Sequence, residues 1–119
     1  MSETSHLPLF VFGTLRRGRS NHHLLAGRYS SVLVGSLRNF VRTHPLMIEE
    51  HRDGIVEGEV YFLHAETYVQ TLRNCDDLEG IPAGTTVGEY YKRIEVTVES
   101  TKGNHAAWAY VHPATAIAE

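Results

Sequence analysis

The sequence predicts a single α+β domain, and three stretches of its 119 residues carry that prediction. An apolar run over 7–12 is typical of a buried strand. Apolar side chains then recur with helical spacing from Ala65 to Cys75. Near the end, apolar and polar residues alternate from Arg93 to Glu99, the period of a strand with one buried face. Strands on both sides of a helix indicate a mixed α+β fold.

The first half is predicted to contain strands joined by short turns. The predicted strands of this half cover 7–12, 29–40 and 55–63. Ser20 is a candidate N-cap for a short helical segment that ends at Gly27. A break near Gly35 would divide 29–40 into two strands, and 51–54 has the composition of a turn. Gly58, inside the third strand, indicates a bulge or a close approach of another backbone.

The second half is predicted to contain a helix followed by a hairpin. One face of the helix is expected to carry Ala65, Tyr68, Val69, Leu72 and Cys75. That helix brings Glu79 to its C-terminal end. Residues 102–104 form the predicted turn between the last two strands, and an alanine-rich tail over about 114–119 is expected to be frayed.

Composition favours one compact domain over 1–119. A hydrophobic content of 42% is enough to build one core. The chain has no apolar stretch of bilayer length and no signal-peptide pattern, so we expect a cytoplasmic protein without a membrane partner. The single cysteine, Cys75, is expected to be a small buried side chain rather than a nucleophile, because no cysteine motif surrounds it.

Positive and negative charge are unevenly distributed along the chain. Residues 1–45 hold six arginines and one glutamate, whereas the rest of the chain is strongly acidic and brings the total to −3. Arg16, Arg17 and Arg19 lie in one loop without interleaved aromatic residues. That pattern favours a small-anion site or a solvated loop, and we expect no nucleic-acid partner.

The histidines do not predict a metal site. Eight are present, but no pair has the i, i+4 spacing of a metalloprotease helix, and none has a cysteine at zinc-finger spacing. The glycines Gly13 and Gly18 also lack the third glycine of a dinucleotide fingerprint. We therefore expect neither a metal nor a cofactor.

The most informative stretch is the loop that follows the first strand. Phe12, Gly13, Thr14 and Leu15 end the apolar run, and Gly13 allows a ligand to approach the backbone. The amide N–H groups of Thr14 and Leu15 suit a carboxylate or a developing oxyanion. The alternative, on Gly13 alone, is an ordinary tight turn.

Several ordered motifs give the chain a family resemblance. They are Phe12-Gly13-Thr14-Leu15 with Arg16, Gly18 and Asn21, then Pro45-Leu46, Gly58-Glu59-Val60-Tyr61, Asp76 to Gly80, Tyr91-x-Arg93 and Ala106 to Tyr110. In this order they resemble the gamma-glutamylcyclotransferase-like family, which includes the AIG2-like proteins. The family usually has tyrosine where this chain has Phe12, and the stretch 81–89 is longer than in its compact branch.

The resemblance implies a small mixed β-barrel with flanking helices and an enzyme that needs no cofactor. It implies that a γ-glutamyl amine or amide is converted to 5-oxoproline and a free amine, a cyclising carbon–nitrogen lyase reaction of the amidine-lyase type. Glu79 would be the general acid and base, and the backbone of Gly13, Thr14 and Leu15 would bind substrate together with Phe12 and Tyr91. An apolar pocket that raises the pKa of a carboxylate toward neutrality suits that role.

Some alternatives stay open at this point. Phe12 in place of tyrosine would fit a non-catalytic ligand-binding or regulatory member, and removal of a γ-glutamyl protecting group in a biosynthetic pathway would use the same mechanism. Tyr91 is either a pocket residue or a strand aromatic. Asp76 and Arg93 are expected to be a helix-end residue and a salt-bridge partner. The leaving amine and the oligomeric state are not predicted.

Overall fold

The computed structural model describes residues 6–44 and 47–115; the Pro45-Leu46 motif and most of the predicted tail lie outside the described residues. The elements are β1 (Leu9–Val11), β2 (Tyr29–His44), β3 (Met47–Leu63), α1 (Tyr68–Leu78), β4 (Lys92–Ser100), β5 (Gly103–Val111) and the short 3₁₀ helices His22–Leu24 and Ala65–Thr67. No helix in these two ranges has the length and apolar character needed to span a bilayer. Thr115, in the predicted tail, is buried, and its N–H donates to the His112 carbonyl at 3.0 Å.

The five strands found in 6–44 and 47–115 close into a barrel in the order β1-β3-β2-β4-β5. Neighbouring strands are antiparallel except β5 and β1, which are parallel and meet at Trp108 and Leu9. Strands β2 and β4 meet at Ser36 and Glu99. The predicted α+β class and the small mixed barrel are therefore confirmed.

Alternation along β1 divides the core into two clusters. Phe10 and Phe12 belong to the cluster that contains Val60 and Val98, whereas Leu9 belongs to a second cluster with Cys75 of α1. Successive side chains of a strand point to opposite faces, so one short strand contributes to both clusters. The ligand-binding loop predicted after β1 therefore starts from a strand that is buried on both faces.

The hairpin of β2 and β3 is longer and more continuous than predicted. β2 runs through Gly35, where a break was expected, and Gly35 pairs directly with Gly58. A Cβ at Gly58 would lie 2.4 Å from the Val11 carbonyl oxygen, so the predicted close approach is confirmed. A Cβ at Gly35 would lie 2.6 Å from Val98 Cγ1. Both glycines serve close packing across the barrel rather than ending a strand.

The turn predicted at 51–54 is wrong, because β3 continues through it. Asp53 and Asn39 adopt positive φ values of 66° and 68°, and the register shifts between Arg38 and Phe40. Aspartate and asparagine tolerate the left-handed region better than most residues. Residues 51–54 of β3 lie opposite the single residue Asn39 of β2, and such an excess of residues in one strand bends the pair. The turn-like composition therefore produces an irregularity inside a hairpin.

Helix α1 packs on the outer surface of the barrel through Tyr68 and Cys75. Val69 was predicted on this face but is 79% exposed, because it lies about 100° around the helix from Tyr68. Burial, with smaller contributions from Glu79 and Asp76, raises the pKa of the Cys75 thiol to about 12. That shift supports the prediction of an unreactive buried cysteine.

The segment before β2 is a 3₁₀ turn, and its predicted cap is wrong. Asn21, not Ser20, precedes the first helical residue, and its side chain does not cap the turn. Gly27, with φ of 76°, follows the turn as predicted. The β4–β5 hairpin is also confirmed, with its turn one residue earlier than predicted because β5 already begins at Gly103.

Candidate active site

The way α1 ends determines the position of Glu79. The Glu79 N–H still donates to the Cys75 carbonyl at 3.1 Å, and the Ile81 N–H donates to the Asp76 carbonyl at 2.9 Å. Between them Gly80 adopts φ of 78°. Glycine reaches this left-handed conformation at little cost, and a helix end of this kind satisfies carbonyls that have lost their helical donors. The chain therefore leaves the helix sharply, directly after Glu79.

The Glu79 carboxyl is partly buried and holds its proton more tightly than an exposed glutamate does. Burial, with a smaller contribution from the negative charge of Asp76, raises the pKa of Glu79 from 4.5 to about 7. Within the described ranges, no hydrogen-bond donor or cation contacts this carboxylate. Glu79 can therefore take up and release a proton near neutral pH.

The loop after β1 presents backbone donors to the same space. The Arg16 N–H donates to the Gly13 carbonyl at 3.1 Å, which closes a turn with Thr14 and Leu15 in its centre. Among the residues that the structure describes, the N–H groups of Gly13, Thr14 and Leu15 have no acceptor. Asn21 fixes this loop, since its side-chain amide donates to Thr14 Oγ1 and its backbone N–H donates to the Thr14 carbonyl, each at 2.9 Å.

Glu79 and the β1 loop share one cavity of about 260 Å³. All six residues predicted for the site line this cavity: Phe12, Gly13, Thr14, Leu15, Glu79 and Tyr91. A single carboxylate lies on the α1 side, and unused amide donors lie on the β1 side. The arrangement can bring a proton acceptor and an anion-stabilising backbone to the same small molecule.

Two aromatic residues of the cavity differ in polarity. Tyr91 is partly buried, and burial together with the charge of Glu79 raises the pKa of its hydroxyl. Phe12 is buried and has no hydroxyl, and the Arg42 guanidinium carbon lies 5.3 Å from the centre of its ring. Tyr91 is thus a pocket residue by position, and Phe12 provides an apolar wall.

Asp76, three residues before Glu79, is enclosed in a network of strong hydrogen bonds. Arg93 Nε donates to Asp76 Oδ1 at 2.9 Å, and Arg93 Nη2 donates to Oδ2 at 3.1 Å. The Tyr110 hydroxyl donates to Oδ1 at 2.7 Å. Asp76 is 4% exposed. The predicted salt-bridge role of Arg93 agrees with this geometry, whereas Asp76 is a buried ion-pair member rather than only a helix-end residue.

Five residues that line the cavity are absent from the predicted site: Phe10, Val11, Asn21, Leu78 and Tyr110. Asn21 belongs to the first of the ordered motifs, and it both fixes the loop and lines the cavity. Tyr110 belongs to the last strand, and nothing in its local pattern connects it to Asp76, which precedes it by 34 residues. The available signal was the motif from Ala106 to Tyr110, and it does not identify a partner for the Tyr110 side chain.

The chain resembles curated proteins over most of its length. It is 34% identical over 109 residues to the "Gamma-L-glutamyl-butirosin B gamma-glutamyl cyclotransferase" of Niallia circulans, covering 87% of this chain and 65% of that protein. It is also 34% identical over 87 residues to the human "Gamma-glutamylaminecyclotransferase", covering 63% of this chain and 54% of the human protein. The chain thus spans between half and two thirds of these relatives.

The fold and a family match agree with these relatives. The crystal structure of YkqA from Bacillus subtilis superposes with a TM-score of 0.69 at 26% identity, covering 93% of this chain and 37% of that one. Residues 9–118 match the family described as "Gamma-glutamyl cyclotransferase, AIG2-like". The resemblance predicted from the ordered motifs is confirmed, and the chain belongs to the gamma-glutamyl cyclotransferase, AIG2-like family.

Proposed function

We propose that this chain cyclises the γ-glutamyl group of a small amine or amide, releasing 5-oxoproline and a free amine. One observation carries the proposal: the Glu79 carboxyl and the free amide donors of Gly13, Thr14 and Leu15 line the same cavity. Family membership over 9–118 and relatives named as cyclotransferases support it. The cavity is slightly smaller than the ~300–1,000 Å³ of sites that enclose drug-sized ligands, which suits a glutamyl group.

The reaction transfers two protons from the attacking nitrogen to the departing nitrogen, and Glu79 is suited to carry both. Ionised Glu79 accepts a proton from the substrate α-ammonium, and the free amine attacks the side-chain amide carbonyl to form a new C–N bond. The original C–N bond then breaks as protonated Glu79 gives this proton to the departing nitrogen. The new ring nitrogen releases its second proton, which Glu79 accepts and passes on in the same way, so the products are 5-oxoproline and an ammonium ion. No water is consumed. A group whose pKa lies near neutrality is efficient in both directions.

The loop after β1 is suited to the negative charge in this reaction. The carbonyl oxygen becomes an oxyanion when the amine attacks, and backbone N–H groups that already point into a cavity stabilise that charge without reorganising. The nucleophile and the carbonyl belong to one molecule, so the protein needs only to hold a folded substrate conformer. Tyr91 and Phe12 form part of the wall that holds it.

A panel of glutamyl compounds tests this function. We expect 5-oxoproline from γ-linked glutamyl amides with a free α-amine. The N-acetylated compounds lack the nucleophile, and α-linked glutamyl peptides lack the free α-carboxylate, so both should be inert. Release of free glutamate would mean that water is the nucleophile and would replace the proposal with a hydrolase. Binding of γ-glutamyl amides without any turnover would favour a non-catalytic ligand-binding member, the alternative that Phe12 suggests.

A further inference from the structure

The β1 loop accepts hydrogen bonds on its carbonyl oxygens as well as presenting free N–H groups. Arg16 Nε donates to the Gly13 carbonyl at 3.2 Å, and the Arg16 N–H donates to the same oxygen at 3.1 Å. A carbonyl oxygen has two lone pairs and can accept both bonds. The Gly13 carbonyl and the Thr14 N–H belong to one planar peptide unit. The Arg16 side chain therefore acts on the peptide whose N–H borders the cavity.

A donor on a carbonyl oxygen strengthens the N–H group of the same peptide. It draws electron density toward the oxygen, and linked hydrogen bonds strengthen one another by ~10–30% per bond. The guanidinium of Arg16 is charged, and a charge-assisted bond is roughly twice as strong as a neutral one. By comparison, the Thr14 carbonyl, which shares its peptide with the Leu15 N–H, accepts from the neutral Asn21 N–H. The Thr14 N–H is therefore more strongly polarised than the Leu15 N–H.

Two neighbouring arginines of this loop have different partners. In the part of the chain that the structure describes, no ion pair includes Arg16, so its side chain bonds the loop carbonyl without a carboxylate. Arg17 instead lies beside β3, with its Nε 3.9 Å from Glu59 Oε2 and its N–H donating to Glu59 Oε1 at 3.0 Å. Arg17 therefore carries the same charge in the same loop without contacting the Gly13–Thr14 peptide.

A second chain of hydrogen bonds reaches the same peptide from His22. His22 Nδ1 lies 3.0 Å from the Leu15 carbonyl oxygen. A carbonyl only accepts, so this nitrogen carries the hydrogen. The Leu15 carbonyl shares its peptide with the Arg16 N–H, which donates to the Gly13 carbonyl. The chain thus runs from His22 through two peptide units to the Thr14 N–H, and all of its bonds have the same direction.

We propose that Arg16 is a positioning residue that makes the Thr14 N–H the main hydrogen-bond donor to the carbonyl oxygen of the scissile amide. The proposal rests on the proposed function, which puts that oxygen against the β1 loop. The oxygen becomes negative as the amine attacks, so its bond to a polarised N–H strengthens more in the transition state than in the bound substrate. Arg16 therefore contributes to kcat through the Gly13–Thr14 peptide, without contacting the substrate.

Two substitutions of Arg16 separate its charge from its hydrogen bond. Glutamine has an N–H at the position of Nε but no charge, and methionine has a similar length and no donor. With γ-glutamyl ethylamide as substrate, we expect Arg16→Gln to lower kcat about threefold and Arg16→Met about tenfold, with KM little changed. Both losses are smaller than the ~10²–10³-fold cost of removing an oxyanion donor itself.

The matched controls are Arg17→Gln and Arg17→Met, which remove the same charge from the same loop. Both should keep the kcat of the natural protein, because Arg17 does not bond the Gly13 carbonyl. Equal losses in the Arg16 and Arg17 variants would attribute the effect to the net charge of the loop and would overturn the inference.

The thioamide analogue of the same substrate identifies the atom on which Arg16 acts. Sulfur accepts hydrogen bonds more weakly than oxygen, so the loss of a polarised donor should slow the amide more than the thioamide. Arg16→Met should therefore lower the ratio of amide to thioamide kcat, whereas Arg17→Met should not. A substitution that only reduced the fraction of folded enzyme would slow both compounds equally. That result would overturn the inference.

The chemical shift of the Thr14 amide nitrogen separates this inference from the proposed function, because it needs no turnover. A hydrogen bond on a carbonyl deshields the amide nitrogen of the same peptide. The Thr14 resonance should therefore move upfield in Arg16→Gln and further upfield in Arg16→Met. His22→Phe should move it less in the same direction, and Arg17→Met should leave it in place.

The two proposals can then fail separately. If no γ-glutamyl compound yields 5-oxoproline, the proposed function fails, and the graded shift would still show that Arg16 polarises the donor at Thr14. An unchanged Thr14 shift in Arg16→Met would overturn the inference whether or not turnover occurs.

Discussion

Two carboxyl groups three residues apart, Asp76 and Glu79, lie in opposite environments. Asp76 is almost completely buried, yet Arg93 and Tyr110 supply three hydrogen bonds that stabilise its charge. Glu79 is more exposed, but no described residue donates to it, and burial raises its pKa to about 7. Burial alone therefore does not decide how well the charge of a carboxylate is stabilised. The donors around it do.

Because of this contrast, the end of α1 can both attach the helix to the barrel through Asp76 and present a proton-exchanging carboxyl at Glu79. The Asp76–Arg93 pair connects α1 to β4, and the negative charge of Asp76 adds to the effect of burial in disfavouring ionisation of Glu79. Satisfying Asp76 fully leaves Glu79 as the carboxyl that can exchange a proton with a ligand. The four experiments below compare the two residues, beginning with the largest expected effect.

Removing the Glu79 carboxylate should have the largest effect of the four experiments, and the quantity affected should be the turnover rate. We expect Glu79→Gln to lower kcat by ~10²–10⁴-fold, the usual contribution of general acid–base catalysis, while KM changes little. Steady-state kinetics on an active γ-glutamyl amide measures this loss, and circular dichroism checks the fold. Glu95→Gln, an exposed carboxylate on β4, is the control and should keep full activity. Near-normal turnover in Glu79→Gln would show that another group moves the proton.

Removing the Asp76 charge should instead reduce stability. Asp76→Asn leaves the buried Arg93 guanidinium without its counter-charge, and breaking a buried ion pair in this way costs ~3–5 kcal/mol in the free energy of unfolding. Chemical denaturation measures the loss. Asp77→Asn is a matched control, because Asp77 is exposed and its i, i+4 pair with Arg73 contributes little to stability. Similar losses in both variants would contradict the structural role of Asp76.

Local periodicity predicted most of the elements near this pair, and long-range contacts account for what it missed. Alternation predicted the β4–β5 hairpin, and helical spacing predicted α1, because both depend on nearest neighbours along the chain. A glycine such as Gly35 predicts a break in a strand, yet β2 continues through it. Gly58 and Val98 approach Gly35 closely from other strands, and the absence of a side chain allows this packing. Asp53 and Asn39 are residues that favour turns, but here they form an irregularity within the long β2–β3 hairpin, where both have positive φ.

Local sequence patterns also fail to predict the long-range contacts of the candidate active site. The residues that line the cavity were identified from ordered motifs rather than from geometry. The bond from Tyr110 to Asp76 and the approach of Arg42 to Phe12 join strands far apart in sequence. Such pairs exist only after the barrel closes, so no local pattern contains them. The sequence therefore predicts only a helix-end residue at Asp76, because its donors, Arg93 of β4 and Tyr110 of β5, are distant along the chain.

The pH dependence of stability should distinguish the two carboxyls without any substrate. The folded protein binds the Glu79 proton more tightly than the unfolded chain does, so the contribution of Glu79 is fully present below pH 4.5 and is lost as pH rises to about 7. The pKa difference sets a ceiling of ~3 kcal/mol, and partial exposure reduces our expectation to ~1–2 kcal/mol. Denaturation of the natural protein and Glu79→Gln should give similar stabilities near pH 4, with the variant more stable near pH 8. Parallel curves would contradict the raised pKa.

A small effect is expected from Tyr110→Phe, which removes one of the three bonds to Asp76 and keeps the aromatic ring. A hydrogen bond to a charged group contributes ~1.5–3 kcal/mol, but Arg93 still compensates Asp76, so we expect a loss at the lower end of that range. Turnover should fall much less than in Glu79→Gln, because the Tyr110 hydroxyl donates to Asp76 and moves no proton in the reaction. Denaturation and kinetics on one preparation measure both quantities. A loss of kcat as large as that of Glu79→Gln, with stability unchanged, would place Tyr110 among the reacting groups and remove the distinction between the two carboxyl environments.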